Sequence, residues 1–258
     1  MLLTRLTKFF LGKVEFDRWI EVESAVTGAP DPETGYLLDI TEIDSAVRTV
    51  LPPLLVDAKQ SGEPLTTTIA KAATALAPLL AVAGRSNGSH VQLAWMSLAL
   101  SPFRSVSCHL HPSSTLANPS NSMTQPHIEI TASYEFAASH RLHCATRSDE
   151  ENRRLFGKCN NPNGHGHNYT IEVRCKVPKD HARSFEAVDA AVESEILRRF
   201  DHRHLNLDCP EFATLNPSVE NIAMICFNYL KPALHNAGIE ARSVRVHETP
   251  KTSAIYPG

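Results

Sequence analysis

Apolar and polar residues alternate along three segments of the second half of the chain, and this period of two predicts β-strands. The segments are HIEITASYEFAASH, NYTIEVRCKV and SVRVHE, at residues 127–140, 168–177 and 243–248. Between them, residues 184–200 and about 218–236 carry apolar side chains at helical spacing. The second half is therefore predicted to contain strands and helices in mixed order.

The first half shows the same mixture with different residues. Alternation predicts strands near residues 15–26 and 35–39, and helical spacing predicts helices at about 41–55 and 66–82. Hairpins combined with such helices are typical of an antiparallel sheet that carries a helical layer on one face. The predicted fold class is α+β, with two helices packed on one face of an antiparallel sheet.

A run rich in Ser, Pro and Asn separates the two halves. Residues 105–126 read SVSCHLHPSSTLANPSNSMTQP and have no sustained period, which predicts a linker. The predicted domains are therefore residues 1–104 and residues 127–258.

The two halves also look like a diverged repeat. In each, a Pro precedes an Ile-Ala pair and a helix follows, which contains Pro78 in the first half and Pro232 in the second. Gly84 and Gly238 are predicted to cap these helices, and a strand comes next in both halves. The matching order of elements favours duplication over a chance likeness between Ala- and Leu-rich helices.

The composition narrows the class of protein. Of the 258 residues, 42% are hydrophobic and 21% are charged, as in an ordinary soluble globular protein. A net charge of −3 gives no reason to expect nucleic acid or an anionic membrane as a partner. We identify no apolar run near the roughly 20 residues of a membrane helix, and Lys13, Glu15 and Asp17 interrupt the N-terminal apolar patch too early for a signal peptide. The six cysteines show no paired spacing and are expected to be reduced, in a cytoplasmic protein.

The segment GKCNNPNGHGHNY, residues 157–169, combines a thiol with two imidazoles and has few apolar side chains. His165 and His167 are two apart at the start of a strand, so they point to one face and can share one ion. A third ligand must come from elsewhere. His140, at the end of the preceding strand, is the best candidate, and His143 is possible on spacing alone. Three neutral imidazoles with an open fourth position are typical of a catalytic zinc site.

Other residues could move protons or bind a polar ligand. A thiol beside a dication ionises more readily, so Cys159 could act as a base or a nucleophile. Asp201 can orient His202 in the manner of a catalytic triad, although His204 could take that role on spacing alone. Glu248, at the end of a strand, could accept two hydrogen bonds from the N–H edge of a planar heterocycle.

Residues 136–173, FAASHRLHCATRSDEENRRLFGKCNNPNGHGHNYTIEV, closely resemble the signature region of the 6-pyruvoyl-tetrahydropterin synthase and 6-carboxytetrahydropterin synthase family. DHRHLNLD, NPSVENIA and HETP follow in the order in which that family has them, so the resemblance spans nearly all of residues 127–258. The resemblance implies that His140, His165 and His167 bind Zn²⁺.

The same resemblance gives roles to the remaining candidates. It implies that Cys159, Asp201 and His202 form a proton-transfer triad and that Glu248 anchors a pterin ring. The turn that assists Glu248 contains three residues, which are Ser218, Val219 and Glu220.

The activity that the resemblance implies is a zinc-dependent elimination of triphosphate from 7,8-dihydroneopterin triphosphate, which forms 6-pyruvoyl-tetrahydropterin. One alternative is the 6-carboxytetrahydropterin synthase of queuosine biosynthesis, which uses the same substrate, but the long loop CNNPNGH is more typical of the pyruvoyl enzymes. A second alternative, a non-catalytic pterin- or metal-binding scaffold, is disfavoured by the intact set of Cys159, His202 and Glu248.

The family's fold is the tunnelling fold, or T-fold, whose subunits assemble into rings through sheet edges, so a homo-oligomer is expected. The first half resembles this fold without its chemistry. Residues 28–47, GAPDPETGYLLDITEIDSAV, look like the family's hairpin-to-helix segment, but no His-Gly-His motif accompanies them and Trp95 aligns with Glu248. We therefore expect tandem T-fold domains of which the first is degenerate and non-catalytic.

Overall fold

The computed structural model divides the chain into two compact units, each with its own strands and helices. The first unit is Met1–Ile130 with Val177–Ala182, and the second is Thr131–Lys176 with Arg183–Gly258. The residues whose structure is described are 1–11, 18–86, 90–110, 126–181 and 183–257.

The first unit is built on four antiparallel strands that lie side by side in sequence order. They are β1 (Leu2–Leu11), β2 (Arg18–Gly28), β3 (Val91–Ser101) and β4 (Arg104–His109). Apolar side chains of the two central strands are buried and form much of the core of this unit, among them Val22, Val26 and Leu93.

Two helices follow the first hairpin, α1 (Ile40–Ser61) and α2 (Leu65–Ser86). The side chain of Asp39 caps α1 by accepting a hydrogen bond from the N–H of Thr41 at 2.8 Å. Gly62, with a φ of 73°, ends the helix. Both predicted helices are therefore present in this part of the chain, and both extend beyond the predicted ranges.

The hydropathy of α2 corrects one expectation. Residues Leu65–Gly84 have a mean hydropathy of 1.5 over the most apolar window, which by length and composition is enough to cross a membrane. The expectation that the sequence contains no such run is therefore wrong. α2 packs on α1 and β3, and Ile69, Leu76 and Leu80 are buried. The core of the first unit accounts for these three side chains, whereas Leu79 and Val82 of the same helix are exposed.

The second unit carries strands in the order β5-β6-β8-β9. Their bounds are β5 (His127–His140), β6 (His165–Val177), β8 (Glu240–Thr249) and β9 (Thr252–Pro257). Residues 127–130 of β5 and Val177 of β6 are grouped with the first unit. A two-residue strand, β7 (Arg203–His204), pairs in parallel with the end of β5. The three strands that alternation predicted in this half are all present.

In the second unit, the longest helix, Val219–Asn236, packs on β8 and β9 and contacts the helix Ser184–Val192. The helices are α3 (Asp149–Phe156), α4 (Ser184–Val192), α5 (Arg198–Phe200), α6 (Leu205–Asp208) and α7 (Val219–Asn236). A turn of π-helix, Glu193–Leu197, joins α4 to α5, so the single helix predicted at 184–200 changes its winding in the middle. Antiparallel strands combined with helices confirm the predicted α+β class.

The predicted strand at 35–39 is wrong. The Asp31 carboxylate accepts hydrogen bonds from the backbone N–H groups of Glu33 and Thr34, at 3.0 Å and 2.7 Å, and closes a turn. Gly35 then adopts a φ of 72°, which a strand does not contain. Leu37 and Leu38 are both buried, although they lie outside any strand.

The boundary of the predicted linker also needs correction. Residues 105–109 belong to β4, because Val106 and Cys108 alternate with polar residues and are buried. Most of the remaining linker, 111–125, lies outside the described residues, as does the beginning of the strand predicted at 15–26. Gly84 lies inside α2 and does not cap it.

Candidate functional site

Three histidines of the second unit meet where two neighbouring strands begin and end. His140 is the last residue of β5, and His165 and His167 open β6, which lies next to β5. One nitrogen from each imidazole lies within 4.8 Å of the other two, and the Nε2 atoms of His140 and His165 are 3.1 Å apart. The geometry of this cluster suits a single metal ion.

The His140 ring is buried in a defined tautomer. Its Nδ1 lies 2.7 Å from the carbonyl oxygen of Pro217. Because a carbonyl oxygen only accepts, the proton is on Nδ1 and the lone pair of Nε2 is directed into the cluster. Burial lowers the pKa of His140 to about 4, since it disfavours the charged imidazolium. His140 is thus a neutral imidazole at physiological pH, as a metal ligand must be.

The other two histidines contain buried nitrogens without a hydrogen-bond partner among the described residues. These atoms are Nδ1 of His165 and Nε2 of His167. Leaving such atoms unsatisfied is unfavourable, so their presence at a cluster of donors points to a ligand. The pKa of His165 is lowered, first by burial and then by His167, which keeps a neutral donor there. Three imidazoles within reach of one position fit a divalent transition metal, zinc included.

The Glu248 carboxylate, near the end of β8, lies beside the histidines. Its Oε1 is 3.5 Å from Nε2 of His140 and 3.8 Å from Nε2 of His167. The side chain is 18% exposed, so it also reaches the adjacent cavity. Glu248 therefore adds a negative charge to the edge of the cluster and remains accessible to a ligand.

Asp201 and His202 follow α5 and are held against β5 by Ala137. Oδ1 of Asp201 accepts a hydrogen bond from the Ala137 N–H at 2.8 Å, and the N–H of His202 donates to the Ala137 carbonyl at 2.6 Å. The other carboxylate oxygen lies 2.9 Å from Nδ1 of His202. The pKa of Asp201 is lowered, mainly by the Ala137 hydrogen bond and next by His202. The pair is an ionised carboxylate that orients an imidazole.

His202 has an unusual backbone conformation. Its φ of 57° lies in the left-handed region, and His202 is the one non-glycine residue of the described chain with a positive φ. Such strained residues are frequent at functional sites. The side chain is 82% exposed, so the ring is open to solvent or to another molecule.

Cys159 lies in a turn of 3-10 helix, Gly157–Asn160, that follows α3. The Cys159 carbonyl accepts a hydrogen bond from the Leu142 N–H at 2.9 Å, which attaches this turn to the chain just after His140. The thiol is half-buried and lines a cavity of about 720 Å³ together with His165. The proposed base therefore lies next to the histidine cluster.

His202 lines a different cavity of about 720 Å³, together with His167 and Glu248. Within one chain, the structure brings the metal-ligand candidates and Glu248 together. It does not bring Cys159 and His202 into the same cavity.

The remaining predicted site residues begin α7. Ser218 caps the helix by accepting a hydrogen bond from the Asn221 N–H at 3.4 Å, Val219 is buried, and Glu220 is exposed in the first turn. The adjoining Pro217 carbonyl bonds to His140, so this turn is fixed relative to the histidine cluster.

Residues 129–258 match the family model described as 6-pyruvoyl tetrahydropterin synthase. The chain belongs to this family. A 6-pyruvoyl tetrahydrobiopterin synthase from Drosophila melanogaster is 37% identical over 138 residues, which cover 52% of this chain and 82% of that protein. The Homo sapiens protein of the same name is 37% identical over 134 residues, or 50% of this chain and 91% of that one. The family resemblance that the motifs indicated is confirmed.

One solved structure is similar to about half of this chain, and another is similar to its whole length. A Caenorhabditis elegans 6-pyruvoyl tetrahydropterin synthase has 35% sequence identity and a TM-score of 0.48, over 52% of this chain and 96% of that one. Uricase from Arthrobacter globiformis has 6% identity and a TM-score of 0.50, over 100% of this chain and 93% of its own. The second likeness concerns the fold alone, and it extends to the half of the chain that lies outside the family match.

The two alternative histidines have other contacts. Nδ1 of His143 is 3.1 Å from the side-chain nitrogen of Asn160, and His143 lies outside the cluster of His140, His165 and His167. His204 lies against Gly164, where an added Cβ would be 2.8 Å from its Nε2 and 2.9 Å from the His140 carbonyl. Gly164 also has a φ of 72°, so a side chain is excluded there on two grounds.

Two supporting residues escaped the sequence analysis. Asn160 donates to the Leu142 carbonyl at 2.7 Å as well as contacting His143, and the Pro217 carbonyl fixes His140. The Asn-rich loop offered a signal for Asn160, because buried amides usually satisfy backbone groups. The sequence offers no comparable signal for the Pro217 carbonyl, because every residue has a backbone carbonyl.

Proposed function

We propose that the protein is a zinc-dependent 6-pyruvoyl-tetrahydropterin synthase, a carbon–oxygen lyase that eliminates triphosphate from 7,8-dihydroneopterin triphosphate. The observation that carries this proposal is the cluster of three imidazoles, two of them with a buried unsatisfied nitrogen, between a cavity lined by Cys159 and a cavity lined by Glu248. Membership of the family and the names of the relatives support it.

His140, His165 and His167 would hold the zinc ion. Bound there, zinc would act as a Lewis acid on the side-chain hydroxyl oxygens of the substrate and so acidify the adjacent C–H bond. The contact between His140 and the Pro217 carbonyl supports this role, because a ligand whose tautomer is fixed in advance needs no rearrangement on binding.

Cys159, as a thiolate, would take the proton from that C–H bond. His202 would return protons elsewhere on the substrate, with Asp201 orienting its ring. The 2.9 Å contact with Asp201 supports this role, because it occupies Nδ1 and leaves Nε2 for proton exchange. Elimination and tautomerisation then yield 6-pyruvoyl-tetrahydropterin, and no external oxidant or reductant is required.

Glu248 would anchor the pterin ring through its N–H edge, assisted by Ser218, Val219 and Glu220. The accessible carboxylate beside the histidines supports this assignment, since a ring bound there would carry its side chain to the metal.

The separation of Cys159 from His202 supports an oligomer. We propose that a cytoplasmic ring of second domains, residues 127–258, completes each triad with Asp201 and His202 of another copy. The first domain, which includes β4 and so extends beyond residue 104 to His109, would be a non-catalytic T-fold scaffold.

Product analysis tests the function. Purified zinc-loaded protein is incubated with 7,8-dihydroneopterin triphosphate, and the products are identified by mass spectrometry. Release of triphosphate with a 6-pyruvoyl product is expected. A 6-carboxy product would indicate the queuosine-pathway reaction, and no turnover by metal-replete protein would indicate a binding scaffold; either result overturns the proposal.

A further inference from the structure

The cavity that contains Cys159 carries an excess of positive charge. Three basic residues line it, Arg141, Arg153 and Lys158, together with a single acid, Asp149. None of the three basic side chains forms an ion pair with a carboxylate among the residues that the structure describes. The cavity is therefore suited to a ligand that brings its own negative charge.

Nearby arginines of the same unit differ in this respect. Arg147 lies 4.0 Å from Glu151, and Arg198 lies 3.3 Å from Glu193. In both cases a carboxylate lies close enough to the arginine to screen its positive charge from a ligand. Arg153 lies two residues after Glu151 on α3. Residues at this spacing do not face each other on a helix, so Arg153 lies on the side away from Glu151, where it lines the cavity.

Local structure directs the three cations to one place. A capping box between Ser148 and Glu151 fixes the start of α3, which carries Arg153. Gly157, with a φ of 52°, then turns the chain into the segment that carries Lys158 and Cys159.

The third cation comes from the end of β5. Nε of Arg141 donates to the Asn160 carbonyl at 3.3 Å, which leaves the two terminal nitrogens of the guanidinium for a ligand. A guanidinium in this state can bind two oxygens of one phosphate group.

We infer that Arg141, Arg153 and Lys158 bind the triphosphate of the substrate and stabilise it as it leaves. This inference rests on the proposed function. His165 lines the basic cavity, and His167, two residues further on, lines the cavity of Glu248. The histidine cluster thus adjoins both, and a substrate with a pterin N–H edge at one end and a polyphosphate at the other matches the charges of the two cavities.

The chemistry of the leaving group gives these cations a reason to lie beside Cys159. In the elimination, the substrate C–H bond breaks and its proton passes to the Cys159 thiolate. The C–O bond to the triphosphate then breaks, and its electron pair remains on the departing oxygen. Cations positioned at that oxygen stabilise the charge that develops there, so they accelerate the step as well as binding the substrate.

Binding of inorganic tripolyphosphate to the zinc-loaded protein, measured by calorimetry, tests the assignment. Arg153→Gln and Lys158→Gln should each weaken binding roughly fivefold, the effect of one exposed charge contact. Arg154→Gln is the matched control, because this neighbour on α3 does not line the cavity. The inference is overturned if Arg153→Gln and Lys158→Gln bind tripolyphosphate as tightly as the wild type does. It is also overturned if Arg154→Gln weakens binding as much as they do.

A second measurement separates anion binding from a structural effect. Arg153→Gln should raise KM for dihydroneopterin triphosphate and leave the affinity for dihydroneopterin, which has no phosphate, unchanged. Equal weakening of both ligands would mean that Arg153 only maintains the fold of the site, and the inference fails. If the wild-type protein binds tripolyphosphate in this pattern but releases no product, the proposed function fails and the anion site stands.

Discussion

Nδ1 of His140 is 2.7 Å from the carbonyl oxygen of Pro217, so a loop 77 residues away in sequence fixes the tautomer of a buried imidazole. The same loop presents Ser218, which caps α7. The start of α7 is therefore fixed both to one of the proposed metal ligands and to the residues that we assign to the pterin. The hydrogen bonds at the start of α7 do not involve His165 or His167. Substitution of either of these two histidines is therefore expected to leave the start of α7 in place.

His167→Ala should remove most of the bound zinc. Loss of one of three imidazoles should weaken zinc binding by more than about 100-fold, which exceeds the usual effect of an outer-shell residue. Metal content is measured after gel filtration in the presence of a weak chelator. Stoichiometric zinc in this variant would refute the ligand assignment.

His143→Ala is the matched control for that experiment. The ring contacts Asn160 and lies outside the cluster, so zinc content should not change. Loss of zinc from this variant would contradict the choice of His140 over His143.

Cys159→Ala should leave the fold and the zinc content intact and lower turnover about 100- to 10,000-fold, the range that a general base contributes. Cys144→Ala provides a control, because its thiol contacts Thr146 at 3.2 Å and is absent from both cavities of the site. Near-native turnover of Cys159→Ala would show that another group takes the proton.

An ion pair should make the first unit sensitive to acid. Asp44 on α1 accepts hydrogen bonds from Nε of Arg5 at 3.0 Å and from Thr7 at 2.7 Å, which ties the helix to β1. The Arg5 hydrogen bond is the main cause that lowers the pKa of Asp44. A lowered pKa stabilises the fold above the ordinary carboxyl value near 4, and this stabilisation disappears as the pH falls through the lowered pKa.

Asp44→Asn should therefore lower the free energy of unfolding by about 1–2 kcal/mol at pH 7, and by progressively less below about pH 4. Urea unfolding of the variant and of the wild type, at pH 7 and at a pH below about 4, measures the difference in the free energy of unfolding. Asp57→Asn changes an exposed carboxylate of the same helix and should have little effect at either pH. A destabilisation by Asp44→Asn that is independent of pH would contradict the role of the charge.

The sequence predicted the second half better than the first, for physical reasons. The strands around the site alternate cleanly, since one face is buried. β1 was not predicted, because Leu2, Leu6 and Phe10 are exposed and mask the alternation. At 35–39 a strand was predicted that is not present. The Asp31 side chain closes a turn just before this segment, and such a turn competes with strand pairing although Leu37 and Leu38 are buried.

Motifs identified the candidate site residues but not their arrangement. Spacing on one strand placed His165 and His167 on one face, and this local rule applies in the structure. The positive φ of His202 and its separation from Cys159 depend on how α5 returns to β5, which no local pattern encodes. Long-range geometry of this kind requires the folded chain.

The separation of Cys159 from His202 leads to a prediction about assembly. Each lines its own cavity of the second unit, and the His202 ring is 82% exposed. If Asp201 and His202 complete the site of another copy, two inactive variants can restore each other. Cys159→Ala and His202→Ala proteins are mixed under conditions in which labelled subunits exchange, and turnover is then measured.

Part of the activity should return, because some boundaries between copies then combine an intact Cys159 with an intact His202. The control mixes Cys159→Ala with the double variant Cys159→Ala/His202→Ala, in which no boundary can be complete, so activity should stay at background. Mass spectrometry of the intact assemblies reports whether exchange has occurred. If subunits exchange and the first mixture is also inactive, Cys159 and His202 act within one chain, and the exposed ring of His202 must move to reach the thiol.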